Sequence, residues 1–355
     1  MIKLDGSHGE GGGQILRTSL ALAALTGERL LVNRIRAGRS NPGLRAQHLA
    51  GVRAMQAICG ARVRGASIGS SELLFEPGPV KGGEHVLDVA AQTRSAGSTS
   101  LVLQALLPAL AFGAAPSHLT IRGGTHVAWS PPYHHLEEVF LPLVGRMGVR
   151  AAIRLNRWGW YPRGGGEVEV AVMPVEGALS PLVLEGPFEP QEIVALAASS
   201  NLPAHVTERV CERFKARLAE RGMAAPCRTL EAPADGPGCL AYLKAVGGGN
   251  KLAAFSALGE KGRPAEAVAD EAVDLFFQFL QGGGAVEEHL ADQLLIYLAL
   301  AEGESSFTTS KVSRHLLTNL WVIEQFWGRR IFEAEGDLGA PGRVVAHGVG
   351  FRRTR

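Results

Sequence analysis

The chain repeats one arrangement of apolar and polar positions three times. Each copy opens with a run in which apolar residues recur at helical spacing and which closes on a glycine, at 14–27, 98–113 and 290–303. Because a glycine commonly follows the last residue of a helix, each run predicts a helix. A short β-prone segment follows each one, at 30–35, 118–122 and 306–309. Second helices are predicted from near Pro42, Pro131 and Ser313 to Gly60, Gly148 and Gly328, each with a strand behind it.

The three copies are unevenly spaced along the chain. Gly27 and Gly113 are 86 residues apart, whereas Gly113 and Gly303 are 190 apart. The excess of about 100 residues predicts a domain inserted between the second and third copies, and residues 182–283 have that length. Its pattern predicts a strand at 182–185, an amphipathic helix near 203–220 and a helix rich in Phe and Val at 265–280.

We therefore predict an α/β (α+β) fold in which three similar units surround a pseudo-threefold axis and a smaller α/β domain interrupts them. The predicted boundaries are a large domain with repeats one and two at 1–181, the inserted domain at 182–283, the third repeat at 284–340 and a basic C-terminal tail at 341–355.

Composition excludes several classes of protein. The 355 residues are 46% apolar and 20% charged, which rules out a disordered chain. The longest apolar run, at 101–115, is shorter than the roughly 20 residues that cross a bilayer, and the start of the chain has no apolar signal-peptide core. The four cysteines are scattered without metal-ligand spacing. These features predict a soluble, cytoplasmic protein with no membrane partner.

The net charge of +2 hides a local imbalance. Residues 29–64 contain eight arginines and no Asp, Glu or Lys. A solvated face is the simplest interpretation of a charged stretch, but such faces usually mix acids and lysines with arginines. Arginine alone is typical of bidentate phosphate or carboxylate recognition, so we predict a site for polyphosphate or a nucleic-acid backbone.

The repeats also align polar residues that can carry chemistry. Arg17, Gln104 and Asp292 lie about ten residues before the closing glycine of the first helix in their copies. Near the start of the second helix lie Gln47-His48, His134-His135 and His315. Helix N-termini attract anions through their unpaired N–H groups and the helix dipole. Packing about a threefold axis would bring these helix starts towards shared clefts.

A glycine loop at 9–13 precedes the first helix. Its backbone can wrap a phosphate, although such loops also occur in plain turns, and no Walker A lysine follows. A carboxylate among N–H groups that bind phosphate would repel the phosphate unless the carboxylate held a cation. Glu10 therefore indicates a divalent metal. A second glycine cluster, at 164–166, fits a tight hairpin loop equally well.

His315 is the candidate nucleophile. A lone histidine at a helix start is usually a cap or a surface residue. Its neutral imidazole is nevertheless a good nucleophile near pH 7, and attack on the α-phosphorus of a nucleoside triphosphate would form a P–N bond. That reaction needs cationic groups, a metal and an orienting carboxylate, which Arg17, Arg36, Arg39 and Glu10, together with Asp292, can supply.

Five segments in register resemble the RNA 3′-terminal phosphate cyclase family. They are 9–17, 35–48, 161–168, 289–293 and 315–319. The resemblance implies three βαβαββ-type units of the enolpyruvyl-transferase-like kind plus an inserted smaller domain. It also implies ATP as co-substrate, a divalent metal (Mg or Mn) and an RNA with a 3′-phosphate end as partner.

The resemblance further implies three chemical steps and a set of site residues. The histidine matching His315 attacks ATP to give a histidinyl-AMP enzyme, AMP passes to the RNA 3′-phosphate, and the ribose 2′-OH then closes a 2′,3′-cyclic phosphate. Glu10 is the implied metal ligand, and the implied phosphate contacts are Arg17, Arg36, Arg39 and Gln47. The implied ATP-binding residues are Gln104, Pro131, His289, Leu290, Ala291, Asp292 and Gln293, with Asp292 also orienting His315. At position 289 some relatives carry a base-stacking tyrosine.

Two other interpretations stay open. A non-catalytic, cyclase-like RNA-binding ribosome-assembly factor would share the fold but lack the histidine, whereas His315 and Glu10 are both present. An enolpyruvyl transferase is suggested by kinship of fold alone, and its chain carries twice as many repeat units. ATP consumption with AMP release separates the cyclase from both.

Overall fold

The computed structural model describes residues 1–89 and 96–353. The first sheet has the strand order β1-β2-β4-β3, with β1 parallel to β2 and the other pairs antiparallel. Its elements are β1 (Ile2–Asp5), α1 (Gly13–Thr26), β2 (Leu30–Asn33), α2 (Ala46–Cys59), β3 (Arg62–Arg64) and β4 (Leu73–Glu76). Both helices end at a glycine in the left-handed region, Gly27 at φ 72° and Gly60 at φ 61°, as the pattern predicted.

The second sheet has the order β5-β6-β8-β7 and the same parallel and antiparallel pairs. Its strands and first helix are β5 (Gly83–Asp88), α3 (Thr99–Ala111), β6 (Ser117–Gly123), β7 (Arg150–Arg157) and β8 (Gly166–Met173). The second helical connection has three parts: α4 (Tyr133–His135), a π-helical turn (Leu136–Phe140) and α5 (Leu141–Arg146).

A separate four-stranded sheet, ordered β11-β10-β12-β13, follows the short strand β9 (Val183–Leu184). Its elements are β10 (Pro190–Ser200), α6 (His205–Ala219), β11 (Cys227–Glu231), β12 (Gly238–Gly247), β13 (Lys251–Leu258) and α7 (Ala265–Gln281). The two helices pack against each other and share an apolar core with the sheet, centred on Phe214 and Phe276. A Cys211–Cys227 disulfide joins α6 to β11.

The third sheet combines β9 with the last part of the chain in the order β15-β16-β14-β9. Its further elements are α8 (Glu288–Leu300), β14 (Glu302–Thr309), α9 (Arg314–Trp327), β15 (Phe332–Glu335) and β16 (Gly342–Val349). Gly303, expected to close a helix, lies instead within β14, because α8 stops at Leu300 and the chain extends at once.

Two predicted segments differ in the structure. The strand predicted at 182–185 as part of the inserted domain is β9, which pairs with β14 through Val183 and Ser306 and so belongs to the third sheet. Residues 342–349 are the strand β16, paired with β14 along its length, rather than a tail. Val344 and Ala346 face the core, while Arg343 and His347 point outward. The sequence does not predict this strand, because its alternation of apolar and polar residues is short and lies among charged residues.

The mixed α/β fold is confirmed, and its helices pack between the sheets. Helix α1 lies against α2, α3 and α9, and α8 lies against α3 and α9. One continuous apolar core runs through the first, second and third sheets and their helices. Within residues 1–89 and 96–353, no helix has the length and apolar character needed to cross a bilayer.

Candidate active site

His315 lies between two carboxylates at the start of α9. Ser313 caps the helix by accepting a hydrogen bond from the Leu316 N–H at 3.0 Å. The Nε2 atom of His315 is 3.8 Å from Glu10 Oε1, and its Nδ1 atom is 3.9 Å from Asp292 Oδ2. Each ring nitrogen therefore has a carboxylate within about 4 Å, and the one beside Nδ1 can orient the ring so that Nε2 is the attacking atom.

The surroundings of His315 favour its neutral form. Burial lowers the pKa of the imidazole, and the nearby charges of Arg17, His289 and Arg39 lower it further. The side chain is still 43% exposed, so a substrate can reach it. A neutral ring keeps a lone pair for attack at physiological pH.

Asp292 is the more deeply buried of the two carboxyl groups. It lies in α8 with 7% of its surface exposed, and burial raises its pKa to about 7 even though His289 and Arg17 act to lower it. Burial lowers the pKa of Arg17, and Asp292 opposes that change. Asp292 therefore changes charge near neutral pH, which suits a group that holds the imidazole proton.

Asn319 ties three helices together beside this pair. Its Nδ2 donates to the Asp292 carbonyl oxygen at 2.9 Å, and its Oδ1 accepts from the Thr18 hydroxyl at 2.6 Å. These bonds join α9 to α8 and to α1. The position of Asp292 relative to His315 is thus fixed by buried hydrogen bonds, which are costly to break.

Glu10 is held at the end of the glycine loop. Its N–H donates to Thr318 Oγ1 at 2.9 Å, and Arg39 both pairs with its carboxylate and donates to its carbonyl oxygen at 3.0 Å. Its Oε2 atom is buried without a hydrogen-bond partner. A buried carboxylate oxygen with an open coordination position fits a divalent cation.

The residues of the described ranges contain no cluster of three or more His, Cys, Asp or Glu that would hold a metal by themselves. Glu10 is a single carboxylate, the kind of ligand that Mg²⁺ accepts together with water and phosphate oxygens.

The glycine loop makes room for these side chains. A Cβ atom at Gly12 would collide with the Glu10 carboxylate. At Gly13 it would collide with the His48 imidazole and lie 3.1 Å from Arg17 Nη1. The glycines at these two positions thus allow charged groups to approach the N-terminus of α1 closely.

His48, which the repeats align with His315 but to which the sequence assigned no role in the site, marks where the arginines converge. Burial together with the charges of Arg36, Arg17 and Arg45 lowers its pKa to about 3. The three guanidinium groups therefore act on one half-buried point beside Gly13. The arginine-rich stretch at 29–64 thus supplies part of a local cationic cluster, as expected for anion binding.

In the structure, two residues that were predicted to contact phosphate form hydrogen bonds with the protein's own backbone. Arg36 donates to the carbonyl oxygens of Asn41 and Gly43, the latter at 3.2 Å. Gln47 exchanges two hydrogen bonds with Ser98, accepting from its N–H at 2.6 Å and donating to its carbonyl at 3.2 Å. Gln47 thereby joins α2 to the N-terminus of α3.

The predicted ATP-binding residues differ in what they expose. Leu290 and Ala291 are fully buried in the core, so their side chains face away from any ligand. Gln293 Oε1 accepts from His135 Nε2 at 3.2 Å. Gln104 has a buried Nε2 without a hydrogen-bond partner, which leaves a donor for a ligand. Leu290, Ala291 and Gln293 lie on α8 and Gln104 lies on α3, whereas His135 belongs to α4.

Two further predicted ATP-binding residues, His289 and Pro131, are accessible to solvent. His289 is exposed in the first turn of α8, where Glu287 raises its pKa. Pro131 is partly exposed in the loop before α4.

A sequence model of the RNA 3′-terminal phosphate cyclase family matches residues 8–332. The chain belongs to this family. The matched range contains both Glu10 and His315, so the two groups that face each other across the site lie within the shared region.

Named members of the cyclase family resemble the chain over its length. An RNA 3′-terminal phosphate cyclase of Methylococcus capsulatus is 43% identical, covering 98% of this chain and 97% of that protein. The one from Nostoc punctiforme is 45% identical over 95% of this chain and 97% of its own. The one from Desulfurococcus amylolyticus is 42% identical, with 99% of both chains covered.

In this cyclase-family chain, one cavity of about 150 Å³ lies between α2 and β5, apart from the charged cluster. Its lining includes Leu49 and Val102 together with Arg53 and Asp88. A small cavity of about 10 Å³ between α1, α2 and α3 is lined in part by Arg17, Gln47 and His48. We assign the site to the charged region, because His315, Glu10 and Asp292 meet there.

Proposed function

We propose that the protein converts the 3′-terminal phosphate of an RNA into a 2′,3′-cyclic phosphate at the expense of ATP. The observation that carries this proposal is the position of the His315 imidazole between Glu10 and Asp292, close to half-buried Arg17. Family membership supports the same reaction, since the named relatives are RNA 3′-terminal phosphate cyclases.

In the first step His315 Nε2 attacks the α-phosphorus of ATP. A P–N bond forms, the bond to pyrophosphate breaks, and the enzyme carries AMP on its histidine. Asp292 faces Nδ1 and can accept the proton of the ring as positive charge develops. Arg17, Arg36 and Arg39, with Gln47, stabilise the negative charge of the departing pyrophosphate.

In the second step an oxygen of the RNA 3′-phosphate attacks the same phosphorus, and the P–N bond breaks to restore neutral His315. The RNA then ends in a diphosphate bridge to adenosine. In the third step the neighbouring ribose 2′-oxygen attacks the RNA phosphorus, loses its proton and expels AMP. Adenylation makes this step feasible, because AMP is a far better leaving group than oxide.

The nucleotide is held by two groups of residues. Gln104, Pro131 and the α8 segment from His289 to Gln293 bind the adenosine, Leu290 and Ala291 through their backbone. Glu10 holds a divalent metal, Mg²⁺ or Mn²⁺, which when bound neutralises triphosphate charge. The buried free donor of Gln104 supports its place in this list.

We also propose that three βαβαββ units surround a pseudo-threefold axis and that a smaller domain is inserted in the third. Three sheets share one strand order and one set of parallel and antiparallel pairs, which supports the repeat. The fourth sheet has its own order and its own core, which supports the insertion.

The test of this function needs no RNA. Protein is mixed with ATP labelled at the α-phosphate and Mg²⁺ or Mn²⁺, then denatured, and label on the chain is counted. We expect an acid-labile, alkali-stable adduct that His315→Ala abolishes. His205→Ala is the matched control, because His205 is also exposed at the start of a helix, α6, which packs on the separate sheet β11-β10-β12-β13.

A fully labelled His315→Ala variant would refute the histidine mechanism. If the folded wild-type protein takes up no label and releases no AMP, yet binds RNA, it acts as a non-catalytic RNA-binding relative instead.

A further inference from the structure

Trp129 is held in water by the fold. Its side chain is 99% exposed, whereas Trp158 and Trp160 nearby are each 4% exposed. Its backbone has φ 63°, in the left-handed region that residues other than glycine rarely adopt. An exposed large aromatic ring and a strained backbone are both unfavourable, and strain of this kind concentrates at functional sites.

The loop that carries Trp129 is anchored at both ends. The Tyr133 N–H donates to the Thr125 carbonyl oxygen at 3.1 Å, which closes the loop across its base. The N–H groups of Thr125 and His126 donate to the Gly159 carbonyl oxygen at 3.0 and 3.1 Å. Ser130 Oγ donates to the Val127 carbonyl oxygen at 3.0 Å. The indole is therefore presented by an ordered loop.

This loop borders the proposed nucleotide cleft. Its first residue, Gly124, accepts a hydrogen bond from the Thr99 N–H at 2.9 Å at the start of α3, the helix that carries Gln104. Pro131 is two residues beyond Trp129, which places their Cα atoms within about 7 Å of each other. The indole thus lies at the rim of the region where the nucleotide and the RNA 3′ end must meet.

A second exposed aromatic side chain lies on the neighbouring turn. Tyr161 is 74% exposed, directly after Trp160, which forms a bridge with His126. Arg163, two residues on, is exposed and donates to the Asp235 carbonyl oxygen at 3.0 Å. Exposed aromatic rings and guanidinium groups are the components of a single-strand nucleic-acid surface.

We propose that Trp129 is a stacking platform for a nucleobase of the RNA close to its 3′-phosphate, and that Tyr161 extends this surface. Ala128, its exposed neighbour, is small and Ser130 is polar, so its neighbours along the chain add little apolar surface around the ring. A protein interface would need a contiguous apolar patch around it, whereas stacking needs one flat ring. The inference rests on the proposed function, because it assumes an RNA substrate.

The test compares Trp129→Ala with Leu338→Ala, which removes a side chain 53% exposed in the hairpin between β15 and β16. Binding of a fluorescent RNA oligonucleotide with a 3′-phosphate is measured by anisotropy, and His315 adenylation is measured without RNA. We expect Trp129→Ala to bind this RNA about tenfold more weakly, Trp129→Phe to bind it at an intermediate level and Leu338→Ala to match wild type. Adenylation without RNA should stay unchanged in all three.

A second RNA, which lacks its last two bases but keeps the 3′-phosphate, tests whether the base stacked on Trp129 belongs to the RNA. The wild-type protein should bind this RNA about tenfold more weakly than the intact RNA. Trp129→Ala and the wild-type protein should bind it equally well. Equal binding of intact RNA by wild type and Trp129→Ala would overturn the proposal. So would a loss confined to adenylation, which would mean that Trp129 stacks on the adenine of ATP. Failure of the wild-type protein to form the His315 adduct would refute the proposed function, while the RNA-binding measurements would still decide the role of Trp129.

Discussion

Asp292 should weaken the folded protein at neutral pH while serving the reaction. Its carboxyl group is 7% exposed, and burial raises its pKa from 3.8 to about 7. The unfolded chain releases this proton near pH 4, whereas the folded protein keeps it until about pH 7. Unfolding is therefore favoured progressively as the pH rises through this window, and the full cost applies above pH 7.

The size of the effect follows from the pKa difference. A rise of about three units corresponds to about 4 kcal/mol of folding free energy, since each unit is worth about 1.4 kcal/mol. The attraction of Arg17 is already included, because it acts on the same pKa. Asn has nearly the same shape and cannot ionise. The stability of Asp292→Asn relative to wild type should therefore be greater at pH 8 than at pH 4 by about 4 kcal/mol.

Urea unfolding followed by tryptophan fluorescence at pH 4, 6 and 8 measures this difference. Asp337→Asn, at an exposed aspartate between β15 and β16, is the control for the same substitution outside the site. Adenylation of His315 should fall by at least about 100-fold in Asp292→Asn, because an amide cannot take the imidazole proton. A relative stability of Asp292→Asn that is the same at pH 4 and pH 8 would refute the argument.

Two further predictions concern groups around the site. His134 is 6% exposed and burial lowers its pKa to about 4, so the unfolded chain takes up a proton first as the pH falls below 6.5. The free energy of unfolding should therefore fall by up to about 3 kcal/mol between pH 6.5 and pH 4. Urea unfolding of His134→Gln should show a correspondingly smaller fall over the same pH range. The same fall in wild type and variant would contradict this prediction. Gly13→Ala should abolish ATP labelling, because its Cβ would collide with His48 beside Arg17. Gly51→Ala, within α2 and with open space around it, should keep full labelling and gain up to about 1 kcal/mol of stability; equal labelling of the two variants would argue against the close approach at Gly13.

The sequence alone determined most helices and the family. The apolar run at 14–27 became α1, and its closing glycine has the left-handed backbone that the pattern requires. Helix periodicity and glycine ends are local signals, so they can be read without knowing what each segment packs against. The motifs around Glu10 and His315 were recognisable for a similar reason, because their order along the chain is itself the signal.

Only the tertiary structure decided which distant segments meet. The pairing of β9 with β14 joins residues on both sides of the separate sheet β11-β10-β12-β13 and its helices, and no local pattern encodes such a partner. The Cys211–Cys227 disulfide is likewise invisible in the cysteine spacing.

Folding also decided which side chains serve the site. Leu290 and Ala291 face the core, Gln47 binds the backbone at Ser98, and His48 lies where three arginines converge. These roles follow from burial and from contacts between helices of different sheets. A linear pattern states which residues are polar or apolar, but the direction in which each one points is fixed only when the helices pack.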